Sequence, residues 1–177
     1  LNNVILMKKE VLTVLSRLLG KKFNCISRAC DMLCLFLGEN FTFTDTRGKQ
    51  YDVAEFSLHF QTQWRFREDK NILLASRDIC EPYSENVPDD WQYDLIGRSD
   101  EMSSVFDVQA KALALKMQGA TVADYHISTV NDLVIIFSNG VVFEQFTPAS
   151  QKEEEWRLID YINDVHLVCY GEKGGIS

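Results

Sequence analysis

The chain has no stretch approaching the roughly 20 consecutive apolar residues that a membrane-spanning helix needs, so a helical membrane protein is not expected. The opening segment Leu1 to Met7 is apolar, but Lys8 and Lys9 follow that run, the reverse of the order in a secretory signal. No Gly-rich phosphate loop, HExxH or GxSxG run occurs, which removes the familiar signatures of phosphate cradles, zinc proteases and serine hydrolases. Positive charge is in short supply: 18 Lys and Arg stand against 26 Asp and Glu, for a formal net charge of −8 and a pI of about 4.9. Counterion release from a phosphate backbone therefore has little to draw on, and nucleic acid is not an expected partner. Low-complexity tracts are missing as well.

Five cysteines, Cys25, Cys30, Cys34, Cys80 and Cys169, include no Cys-x-x-Cys pair, so neither a zinc knuckle nor a thioredoxin-type redox site is expected. Cys25, Cys30 and Cys34 fall in an apolar strand-like stretch, where a reduced thiol acts as a small hydrophobe. The reading is a reducing, cytoplasmic setting with no cofactor and no metal. At 177 residues, 46% hydrophobic and 25% charged, the chain suffices for one ordinary domain or two small interdependent subdomains. Asn40-Phe41-Thr42 matches a glycosylation sequon, without meaning in a cytoplasmic protein.

What is present is an internal similarity. Trp64-Arg65-Phe66 returns as Trp156-Arg157-Leu158, and Ile26 to Phe36 aligns without a gap on Ile127 to Phe137. Two similar units that cannot each bury an apolar face tend to share one core. The expectation is an α+β fold of two related helix-plus-antiparallel-strand units, residues 1–80 and 102–177, packed as one globule. Residues 81–101 form an ordered connection pinned by Tyr83, Trp91, Tyr93 and Leu95.

Each unit opens with a helix. Val4, Met7, Val11, Leu15 and Leu18 recur at helical spacing, with Asn2 or Asn3 as N-cap and Gly20 at the C-terminus. Phe106, Ala110, Leu113 and Met117 repeat the pattern between Ser103 or Ser104 and Gly119. Strands follow. Asn139-Gly140 between Leu133–Ser138 and Val141–Phe146 predicts a hairpin with two positive φ values. Its counterpart is Met32–Leu37, then Gly38-Glu39-Asn40 as a looser turn, then Phe41–Thr44. The two anchors differ in offset, which places extra residues in the first unit near Asp45 to Lys49, ahead of the strand Phe56 to Gln61. Ile72–Ala75 and Val165–Tyr170 close the two units as strands.

Chemistry has one candidate neighbourhood. Strand alternation sends Phe56, Leu58 and Phe60 to the core and Ser57, His59 and Gln61 to the opposite face. With Arg65, and with Arg77 and Asp78 after the strand Ile72–Ala75, His59 and Gln61 make a candidate binding set. A lone strand histidine is more often simply solvated or hydrogen-bonded, and the two tryptophans are expected in the core, with Arg65 and Arg157 over an aromatic ring or paired with Asp78 or Asp160. His126 and His166 follow Asp124 and Asp164 by two residues, a spacing that shares a strand face without amounting to a metal site.

The run Leu58-His59-Phe60-Gln61-Thr62-Gln63-Trp64-Arg65, then Ser76-Arg77-Asp78, Pro82, Trp91, Asp94 and Phe106-Asp107, resembles a group of uncharacterised bacterial proteins with the same order of anchors. Glu155-Trp156-Arg157-Leu158 resembles that group's closing motif. The run departs from the group's usual Cys-Pro before Trp-Arg, having Thr62-Gln63 there. The resemblance implies no activity. In size and acidity the chain is similar to immunity proteins that neutralise bacterial toxins. Together these features favour a non-catalytic binding protein engaging a basic protein surface or forming a homodimer. The competing expectation is a small-molecule-binding protein or enzyme that uses His59, Arg65, Arg77 and Asp78.

Overall fold

The structure, a computed structural model, describes residues 10–94, 102–148, 150 and 153–170. Residues 10–16 are helical, α1, and bury Val11, Val14 and Leu15, with Leu18 buried in the turn that follows. Val4, Met7 and the caps at Asn2 and Asn3 lie outside the described residues, as does Leu95. Five strands follow: β1 (Phe23–Ala29), β2 (Met32–Thr44), β3 (Gln50–Phe60), β4 (Gln63–Glu68) and β5 (Asn71–Ala75), then a 3₁₀ turn at Ser76–Ile79. Helix α2 (Val105–Lys116) starts at Ser104, whose hydroxyl accepts from the Asp107 N–H while the Asp107 carboxylate accepts from the Ser104 N–H. This reciprocal pairing satisfies two of the donors that a helix start leaves open. The remaining strands are β6 (Val122–Ile127), β7 (Leu133–Phe137), β8 (Val141–Phe146), β9 (Glu154–Asp160) and β10 (Val165–Tyr170).

The strands build two antiparallel sheets, ordered β1-β2-β3-β9-β10 and β5-β4-β8-β7-β6. The architecture is α+β. Each sheet joins a three-strand meander from one part of the chain to a two-strand ribbon from the other, along the seams β3–β9 and β4–β8. Both sheets therefore contain strands from residues 1–80 and from 102–177. Their inner faces meet in one core, where the Phe60 and Phe143 rings sit 4.6 Å apart. Helix α2 packs on β1 and β5. Near α1, the Tyr125 hydroxyl of β6 donates to the Leu12 carbonyl, and Arg17 pairs with Asp160 of β9. In the described part of the connecting segment the Trp91 indole donates to the Met102 carbonyl and Tyr93 packs on the core, whereas Tyr83, expected to pin the segment, is 54% exposed.

Three local expectations are corrected. Gly38-Glu39-Asn40 is no turn: β2 runs through it with a register slip against β3 between Leu37 and Asn40. Gly38 has φ +89°, and a Cβ there would meet the Glu55 Cβ at 2.8 Å, so only glycine lets the strand pass. The turn lies at Asp45 to Lys49, where the Asp45 carboxylate accepts from the Arg47 and Lys49 amides. At Asn139-Gly140 only Gly140 has positive φ, and its N–H donates to the Phe137 carbonyl, giving a three-residue loop rather than a two-residue one. Asn139 instead spends its side chain on the Lys116 carbonyl at the end of α2 and the Val141 N–H. Cys30 stands outside the strands, exposed in the β1–β2 turn at φ +53°.

Each seam carries an inward tryptophan: Trp64 of β4 faces Gln145, and Trp156 of β9 faces Phe60. Their indoles differ in one respect. Trp156 Nε1 donates to the Asn131 carbonyl at 3.0 Å, whereas Trp64 Nε1 is buried with no acceptor. Trp156→Phe strips a half-buried carbonyl of its donor, while Trp64→Phe removes an unmatched donor. In urea unfolding, Trp156→Phe is expected to lose about 1 kcal/mol more stability than Trp64→Phe; equal losses would contradict this assignment.

Candidate functional site

The five residues singled out by sequence do not converge. His59 lies on the outer face of the first sheet, between Leu58 and Phe60, which point into the core. Arg65 alternates with buried Trp64 and Phe66 and so lies on the outer face of the second sheet, across the core from His59. Gln61 is exposed past the end of β3, with its N–H donating to the Glu155 carbonyl. Arg77 is exposed in the 3₁₀ turn, and the Asp78 carboxylate accepts from the Ala75 N–H at 2.7 Å, organising that turn. Arg65 pairs with Glu144, not Asp78, and lies over the Phe146 ring at 5.1 Å. Arg157 pairs with Glu154, not Asp160.

His59 is half-buried, shares a 2.7 Å hydrogen bond with the Ser57 hydroxyl, and stands opposite Cys34 and Arg157 on the neighbouring strands. Burial lowers its pKa, and the positive charge of Arg157 and the nearby His166 push the same way, against Glu154. Burial raises the thiol pKa of Cys25 and Cys34, and takes that of Cys169 up to about 12, so none of these three is set up as a nucleophile. Among the described residues no group of three His, Cys, Asp or Glu side chains is placed to hold a metal ion, and no helix is long and apolar enough to cross a membrane.

Two grooves adjoin the first sheet. One of about 370 Å³ separates α2 from β1, between Ile26, Phe106 and Ala110. At its end the Arg28 guanidinium, only 3% exposed, donates to both Asp107 oxygens at 2.8 Å and to the Tyr93 and Cys30 carbonyls. These bonds hold the Asp107 carboxyl below its ordinary range. Arg28 is satisfied within the protein and offers little to a ligand. The second groove, about 260 Å³ between Cys25, Phe36 and Tyr161, is smaller than most ligand pockets. Neither groove is lined by His59 or Arg77.

The feature that sequence reasoning missed is the outer face of the second sheet. Its register sets Ile72, Arg67, Val142, Ile136 and Asp124 in one row across the five strands, and Ala75, Arg65, Glu144, Val134 and His126 in the next. Ile72 is 60% exposed, Ile136 37% and Phe146 38%. Glu144 sits between the two arginines; burial pushes its carboxyl up, but hydrogen bonds from Arg65 and Arg67 outweigh that and hold it low. The signal for this face was in the sequence, since Leu-Val-Ile-Ile-Phe in β7 is apolar without the alternation of a strand wet on one side.

Comparison of the chain with family models, curated proteins and solved structures returns no match.

Two outcomes test these environments. A histidine whose pKa is lower folded than unfolded binds fewer protons in the native state, so its contribution to stability is intact above about pH 6.5 and is lost as pH falls through that value towards the folded pKa. Wild type is expected to lose stability over that window in denaturant titrations, and His59→Gln to lose less. Identical pH profiles would refute the assignment. Asp107→Ala leaves the buried Arg28 charge unpaired and should cost about 3 kcal/mol by the same measurement; a loss below about 1 kcal/mol would show that Arg28 does not depend on Asp107.

Proposed function

We propose that the chain is a non-catalytic binding protein that engages another protein through a sheet surface. The observation that carries this reading is the exposed apolar side chains on the outer face of the second sheet. Ile72, Ile136 and Phe146 lie on one face with half-buried Val134 and Val142 between them, a grouping that surface hydrophobes scattered singly do not give. The competing small-molecule or catalytic reading rested on His59, Arg65, Arg77 and Asp78, which are dispersed over two faces and a turn. The alternative of a basic partner, as an immunity-type protein would take, draws its support not from that face, which carries Arg65 and Arg67, but from the net charge of −8 and from residues 81–94, where Glu81, Glu85, Asp89, Asp90 and Asp94 occur without a Lys or Arg.

The same proposal includes an internal duplication, with β1 to β5 matching β6 to β10. Support comes from the sheet orders, which exchange under that matching, and from the opening hairpins, which slip register between Phe23 and Cys25 and between Val122 and Asp124. Gly20 and Gly119 share positive φ, as do the turn residues Cys30 and Asn131. Features common to both halves then belong to the frame.

Affinity capture with wild type and with an Ile136→Asp/Phe146→Asp double variant tests the binding reading. A defined protein, or a second copy of the chain, is expected on wild type and not on the folded variant. Retention of neither by wild type, or equal retention by both, would overturn it.

A further inference from the structure

We infer that the outer face of the second sheet docks against the same face of a second copy of this chain, an inference that rests on the binding reading above and names its partner. The face is charge-asymmetric. Arg65 and Arg67 stand on β4 and Asp124 on β6, with the apolar Val142, Val134 and Ile136 of β8 and β7 between them. Among the described residues Asp124 has no ion-pair partner; its carboxylate accepts from the adjacent Tyr125 N–H and is otherwise open. Such a face fits its own copy when a two-fold axis brings one side against the other.

Two orientations of that axis keep the strands of the copies aligned, as stacked sheets prefer. An axis across the strands lays β4 on β4 and sets the arginines of the two copies against each other. An axis parallel to the strands, between β7 and β8, instead lays β7 on β8 and β6 on β4. The row register then carries the residues into place: Ile136 of one copy meets Val142 of the other, and Asp124 meets Arg67, each contact occurring twice. Arg65 faces His126 of the other copy. Glu144 meets Val134, which leaves no bare charge, because that carboxylate is 13% exposed and bonded to both arginines. Charge complementarity selects the second axis.

The overlapping area is modest. Four strands about 4.8 Å apart, over five residues of about 3.3 Å each, span roughly 19 by 17 Å, which is small for a protein interface and falls in the range of weak, transient association.

Sedimentation velocity on the purified chain, from about 1 to 200 µM so as to bracket weak interfaces, tests this at low and high salt. Wild type is expected to pass from monomer to dimer, with weaker association at high salt as the Arg67–Asp124 pairs are screened. Ile136→Lys should weaken the dimer by about 100-fold. Asp124→Asn, at an exposed position with no ion-pair partner among the described residues, should weaken it by about 3- to 10-fold and flatten the salt dependence. A wild type that stays monomeric throughout would overturn self-docking while leaving the capture experiment to judge the broader binding reading. A dimer indifferent to both substitutions would also overturn it, by assigning association to another surface.

Discussion

Both sheets depend on backbone pairing between strands far apart in the chain. Residues from Phe56 to Phe60 of β3 pair with Asp160 to Trp156 of β9, and Gln63 to Glu68 of β4 pair with Phe146 to Val141 of β8. Without those seams each meander would present a long unpaired edge, and each β4–β5 or β9–β10 ribbon would be a two-strand hairpin, marginal in water. The seams are also where the largest side chains enter the core, since Trp64 and Trp156 point inward from the ribbon strands. Burial of each indole thus requires both ends of the chain to be in place. Helix α2 adds to the tie: it follows the connecting segment yet packs on β1 and β5, and the Asp107 carboxylate that caps it also neutralises Arg28 of β1. Loop closure across such separations is costly before it is rewarded, so slow folding is the kinetic counterpart of this topology.

Much of the local structure was legible because it is encoded locally. The cap at Ser104, the burial of Leu15, Leu18 and Leu113, and the existence of a hairpin after Phe137 follow from spacing and capping alone. Details set by neighbours were not. Whether Gly38 bends a strand or ends it depends on the close approach of Glu55, some seventeen residues on. Whether Asn139 takes positive φ depends on its side chain being drawn to the end of α2. The gapless match of Ile26–Phe36 to Ile127–Phe137 also misses by one position in the second strand of each hairpin. Leu33, Leu35 and Leu37 face the core in one, and Leu133, Ile135 and Phe137 in the other, whereas the gapless match pairs Leu33 with outward Val134. A one-residue slip reverses every face of a strand, so the positions that the gapless match aligns do not share a face, whereas both tryptophans point inward at their seams.

The candidate site was read by residue type, and this explains where that reading stopped. His59, Arg65, Arg77 and Asp78 drew attention because histidine, arginine and aspartate can do chemistry, yet their partners lie in strands that no local pattern connects to them: Glu144 for Arg65, Arg157 beside His59. An exposed apolar sheet face has the opposite problem. Its residues are of the kind that fill cores, and a strand such as Leu133–Phe137 reads as buried on both sides. The discrepancy appears only when sheet order is known, because β7 then lies in an antiparallel sheet covered by the core on one face alone. A strand that should alternate and does not has a second apolar face with no internal use. Ile136 and Val134 occupy that face, Val142 and Phe146 extend it onto β8, and the arginine–glutamate cluster beside them limits how far it spreads. Stability does not call for those side chains to be apolar, since among the described residues nothing covers them fully; contact with another surface is the use proposed for them.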